Sequence, residues 1–164
     1  MSKSNIKMRG MIHAEAFDID GNKIFESTTH NLVVNEGLDY ILDVTLSSGT
    51  QHGTHYVGLK GTGAMAAGDT LSSHGNWSEV DAYDGSRKAW TEGGVSSQSI
   101  DNSGSPATFT IDTNDTEVVG AFLATSTDNS GTLVCGGDFS ASATLPSGST
   151  LNVTYTISSA DDGA

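Results

Sequence analysis

Leu151-Asn152-Val153-Thr154-Tyr155-Thr156-Ile157-Ser158 alternates apolar and polar side chains without a break. Successive side chains of a strand point to opposite faces, so Leu151, Val153, Tyr155 and Ile157 share one face and the polar residues share the other. A strand of this kind packs one side on a core and shows the other to water. The same pattern opens the chain. Ile6, Met8, Gly10, Ile12, Ala14 and Ala16 are apolar or small, with Lys7, Arg9, His13 and Glu15 between them. Asp20-Gly21 is a two-residue hairpin signal, from which Lys23-Ile24-Phe25-Glu26 returns. Ala107, Phe109 and Ile111 alternate after Pro106, while Tyr56-Val57-Gly58-Leu59 and Leu133 to Phe139 read as further strands, the last with Cys135 as a small buried hydrophobe. Glu117 to Thr125 is apolar on both faces and predicts a central, fully covered strand.

One stretch reads differently. Between Asn31 and Leu46 the residues Leu38, Ile41, Leu42 and Leu46 recur at helical spacing and form an apolar stripe that predicts burial. Asn35 has the side chain of a helix N-cap, Glu36 and Asp39 suit the positive end of the helix dipole, and Gly49 offers a left-handed stop. The expectation is an all-β antiparallel sandwich with one amphipathic helix over about residues 36–46 lying on it or plugging it.

Composition narrows the class. The 164 residues suit one domain, 1–164, with a core of its own, a short N-terminal arm (1–5) and an acidic C-terminal tail (159–164). Hydrophobic residues make up 35% and glycines number 20, as short strands and tight turns require. Seven basic residues stand against 20 acidic ones, a net charge of −13 that argues against nucleic acid as a partner. Lys3, Lys7 and Arg9 fall in the first ten residues with no acid among them, which predicts an arm docking on an acidic protein surface, or else a plain solvated terminus. No apolar run reaches membrane-spanning length and no secretory h-region follows Met1, so synthesis in a cytoplasm and no membrane partner are expected.

Motifs for chemistry do not assemble. Asp18 to Asn22 has carboxylates near a glycine, yet the glycine is misplaced for a calcium loop and Thr29 stands where a bidentate Glu belongs. His52, His55 and His74 lack the spacing of a metal site. Gly61-Thr62-Gly63 is not followed by the Lys of a phosphate loop, and no nucleophile elbow or paired acid–base carboxylates occur. Neither an enzyme nor a cofactor is therefore expected. Trp77, Glu79, Asp81 and Tyr83 predict one face of a strand, with Asp84-Gly85-Ser86 turning into Arg87 to Trp90. Trp77, Tyr83, Arg87 and Trp90 are thus candidates for a contact surface, with burial in the sandwich as the alternative.

Several stretches together resemble the capsid cement or decoration proteins of tailed bacteriophages. They are Asn31, Asn35-Glu36-Gly37-Leu38 and Leu42, then Tyr56 to Leu59, Ala67-Gly68-Asp69-Thr70, His74 to Glu79 with Tyr83, Arg87 and Trp90, then Phe109, Gly120-Ala121-Phe122-Leu123, Phe139, and Gly148 with Leu151 to Thr156. The resemblance implies a jelly-roll-like sandwich, self-association as a homodimer or homotrimer, and docking on the major capsid protein at the outer surface of a virion made in a bacterial cytoplasm. A carbohydrate- or receptor-binding module of a tail fibre or spike, stacking sugars on Trp77, Tyr83 and Trp90, is the alternative expectation.

Overall fold

A computed structural model describes residues 5–161. In chain order the elements are β1 (Ile6–Phe17), β2 (Lys23–His30), β3 (Leu32–Val33), α1 (Asn35–Leu46), β4 (His55–Gly63), β5 (Trp77–Val80), β6 (Lys88–Trp90), β7 (Ser99–Asp101), β8 (Ala107–Thr110), β9 (Thr116–Ala124), β10 (Leu133–Leu145) and β11 (Thr150–Asp161). They form an antiparallel β-sandwich. One five-stranded sheet runs β2-β1-β11-β7, with β8 also on β11. The six-stranded sheet runs β3-β10-β9-β4-β5, with β6 also on β4.

The period-2 pattern of the two terminal strands is what closes the first sheet. β1 and β11 pair over their whole length, from Ile6 opposite Asp161 to Phe17 opposite Thr150. Ile12, Ala14 and Ala16 thereby face inward beside Tyr155, Val153 and Leu151, all fully buried. The tail expected at 159–164 is instead strand as far as Asp161, because Ser159, Ala160 and Asp161 find partners in Met8, Lys7 and Ile6. Residues 162–164 lie outside the described range.

The β1–β2 hairpin turns where Asp20-Gly21 predicts it. Gly21 adopts a φ of +84°, open to a residue without Cβ. The Asp18 carboxylate accepts from the Asn22 side-chain amide at 3.0 Å and from the backbone N–H groups of Asn22 and Asp20 at 2.8 and 3.0 Å, which holds its pKa below the ordinary Asp value. β9 is central as expected: Ala121 and Leu123 face the main core, and Phe122 and Ala124 face a second cluster with Val34, Leu71, Trp77 and Leu133. Midway along β10 the register shifts between Asp138 and Ala143. That irregularity brings Ser140 to β2, where its N–H donates to the Ser27 hydroxyl at 2.9 Å and closes one side of the sandwich.

The helix lies where the sequence places it but is rotated about its axis. Gly37 is its one buried residue. A Cβ there would collide with the backbone carbonyl of Val134, so the glycine permits α1 to rest directly on β10. Tyr40, Ile41 and Val44 share that inward side and are half-buried. Of the expected stripe Ile41 alone is on that side, whereas Leu38, Leu42 and Leu46 are 38%, 56% and 81% exposed. The cap also differs. Val34 is the N-cap with no side-chain cap bond, and Asn35 donates only its backbone N–H, to Ala67 O at 2.8 Å. Gly49 does not take the left-handed conformation; it and Ser47 donate to the carbonyl of Asp43.

Glu36 fixes the rotation. One carboxylate oxygen accepts from the backbone N–H of Leu133 at 2.7 Å and of Leu71 at 3.0 Å, joining helix, β10 and the 64–76 connection. Charge-assisted bonds to otherwise orphaned amides are among the stronger ones in a protein. Glu36→Ala should therefore lower unfolding stability by about 2–3 kcal/mol in urea titration. Asn35→Ala, which removes no capping bond, should cost less than about 0.5 kcal/mol.

Candidate functional site

The aromatic candidates are internal. Trp77, Tyr83 and Trp90 are 5%, 4% and 5% exposed. Trp90 donates its indole N–H to Tyr155 O at 3.0 Å, and Tyr83 meets Phe109 edge-on with centroids 4.8 Å apart. Both belong to the main core, whereas Trp77 lies across the six-stranded sheet in the second cluster, donating to the Asp69 carboxylate at 3.0 Å under a stacked His74. The expected strand face from Trp77 to Tyr83 does not form. β5 ends at Val80, Tyr83 bridges Ile111, and β5 and β6 each pair with β4 instead of with one another. A sugar-stacking platform needs solvent-facing rings, and these three have none to offer.

Arg87 is a structural anchor. Only 5% exposed, it forms two parallel bonds to the Glu79 carboxylate at 2.7 and 2.6 Å, and bonds Ser126 O and the Asn129 side chain across the 125–132 loop. Its guanidinium lies 5.0 Å from the centre of the Phe122 ring. Planarity and five fixed donors suit arginine, and not lysine, to this position.

Lys60 carries no motif in the sequence, yet it is fully buried. Its ammonium donates to the carbonyls of Gly61 and Gly63 and pairs with Asp138 at 2.6 Å. The only sequence signal is its place in β4 directly after the apolar run Tyr56 to Leu59. A buried cation is tolerated because its three protons all find oxygen.

The remaining cations sort by position. Lys23 bridges Glu15 and Glu26 at 2.8 and 2.9 Å, and Lys88 pairs with Asp84 at 3.0 Å. His13, Glu15 and Glu26 place their donor atoms within 4.8 Å of one another, as a metal site would, but Lys23 already supplies these carboxylates with a cation. Lys7 and Arg9 are different. Both are exposed and neither forms an ion pair among the described residues. They sit within β1, opposite Ala160 and Ser158, so they belong to a sheet and not to an arm. Lys3 lies outside the described residues.

Register places them on the outer face of the sheet. Arg9 adjoins Ser158; Met11 lies between Thr156 and His30; His13 lies between Thr154 and Thr28. The outer face of the β2-β1-β11 sheet is thus a hydroxyl-rich plane with two unpaired cations at one end, on a chain of net charge −13. Glu15 and Glu26 stand at its other end, tied up by Lys23. No protein-family model, curated protein or solved structure matches this chain.

Cys135, Tyr155 and Asn31 form a buried polar knot behind this sheet. Asn31 donates to the Tyr155 hydroxyl at 2.9 Å, and burial pushes the Cys135 thiol up to about 12. A thiol in that state carries negligible thiolate near neutrality. The native protein should therefore leave Ellman's reagent unreacted at pH 8, and urea-unfolded protein should release one equivalent of thionitrobenzoate.

Proposed function

We propose that the protein is a non-enzymatic structural component of a phage virion, docking the outer face of its β2-β1-β11 sheet against the exterior of the capsid shell. The observation that carries this reading is the concentration on one sheet face of positive charge, Lys7 and Arg9, that forms no ion pair among the described residues of an otherwise acidic molecule. A plane of Ser, Thr and Asn side chains accommodates another protein surface without aggregation-prone apolar exposure, and the cations orient it on an acidic patch. The whole-chain resemblance to decoration proteins supports the same reading and supplies the major capsid protein and further copies of the chain as its partners. Burial of neighbouring subunits beneath such a protein opposes their separation, which is how a non-catalytic protein strengthens a shell.

Reconstruction of the virion tests the location directly, since density confined to the tail with a bare shell would overturn it. The face itself is tested by substitution. Exposed ion pairs contribute on the order of 0–1 kcal/mol each, so Lys7→Ser with Arg9→Ser should weaken capsid co-sedimentation by about fivefold in dilute buffer. The difference from the unsubstituted protein should vanish as salt rises, because only the charge contribution is screened. Thermal unfolding should be unchanged, both side chains being exposed.

A further inference from the structure

Where α1 spans the open end of the sandwich it leaves a groove of about 420 Å³. Its apolar lining joins Ile41 and Val44 of α1 to Leu123 of β9 and Ile157 of β11, one residue from each sheet. One wall is a run of rings. Tyr40 lies 5.7 Å from His52 and 5.8 Å from His55, and His55 lies 6.1 Å from Trp90, centroid to centroid. Glu92 completes the lining and is the one carboxylate in it. Burial holds the His55 imidazole below its ordinary pKa, so at neutral pH that ring is uncharged and does not repel a cation.

Apolar floor, aromatic wall and single carboxylate match one kind of side chain: a long aliphatic stem ending in positive charge. Aromatic faces attract such a head, and the stem buries on the aliphatic floor while the charge stays near water. The net charge of −13 draws cations towards the molecule and repels anions. We propose that this groove receives an apolar segment of a partner protein through a lysine or arginine, with the stem along Ile41 and Val44 and the head between the Tyr40–His55 rings and Glu92. This surface is separate from the outer sheet face, and either assignment stands if the other fails.

The test uses the full chain and blocked tripeptides followed by amide chemical shifts: Leu-Lys-Leu, its uncharged counterpart with norleucine, and Leu-Glu-Leu. The lysine peptide should shift Gly53, His55 and Glu92 saturably and bind about threefold tighter than the norleucine peptide, with the glutamate peptide weakest. Glu92→Gln, an exposed substitution, should erase the lysine advantage and leave norleucine binding unchanged. Val44→Trp should fill the groove and abolish both. Equal affinity for lysine and norleucine peptides, or lysine binding that survives both substitutions, overturns the proposal. Hexylammonium binding as tightly as the lysine peptide also overturns it, by assigning the groove to a small amphiphilic cation in place of a protein segment.

Discussion

A single carboxylate holds three parts of this molecule in register. Glu36 reaches from the first turn of α1 to the amides of Leu133 and Leu71, while Gly37 beside it lets the helix touch the β10 backbone. Half-buried Tyr40, Ile41 and Val44 follow the same rotation, but the other usual determinants of a helix face are missing or misleading in α1. Its N-cap makes no side-chain bond, its last turn has no basic residue, and its leucines face outward. The second apolar cluster depends on the same anchor, because Leu71 and Leu133 are members of it. The groove beneath α1 is a further result, since a helix turned to bury Leu38 and Leu42 would not present Tyr40, Ile41 and Val44 to it.

This is also why the sheets were legible in the sequence and the helix only in part. Strand pairing follows a strict two-residue alternation, and a one-residue slip would expose every core side chain of β1 or β11. Their faces can therefore be read directly from Ile12 to Ala16 and from Leu151 to Tyr155. In α1, apolar residues occur nearly all round, with Leu38, Tyr40, Ile41, Leu42, Val44 and Leu46 covering most of the circumference. Periodicity cannot choose between such faces; a close approach at a glycine can, and that contact is long-range. The candidate surface was half legible for the same reason. Lys7 and Arg9 alternate outward with β1, whereas the burial of Trp77, Tyr83 and Trp90 depends on β5 and β6 each joining β4, a pairing absent from local sequence.

Positive charge in this protein divides between inside and outside. Lys60 and Arg87 are withdrawn from water and each meets a carboxylate together with backbone carbonyls. Removing a partner from such a cation costs far more than losing an exposed pair, because an uncompensated buried charge remains. Lys60 therefore ties β4 to β10, Arg87 fastens the 125–132 loop to β5, and both are withheld from recognition. Lys23 and Lys88 are at the surface but bound to carboxylates, so Lys7 and Arg9 are the cations left without an ion pair among the described residues, on a chain whose surface is otherwise acidic.

The ladder between β1 and β11 joins residues about 150 positions apart in the chain, with Ile6 opposite Asp161. Every other strand pair in the first sheet is built on that ladder or hangs from it. During synthesis, β1 is made long before β11 and can pair at first only with β2, leaving its other edge bare until β11 has been made. Closure of so long a loop is entropically costly and slow. The nascent chain thus carries an unpaired strand edge for the whole interval between β1 and β11, exposed to pairing with neighbouring nascent chains. Lys7 and Arg9 place charge on that strand, a feature that disfavours edge-to-edge pairing. The first sheet is complete only once β11 has arrived to join β1 to β7 and β8.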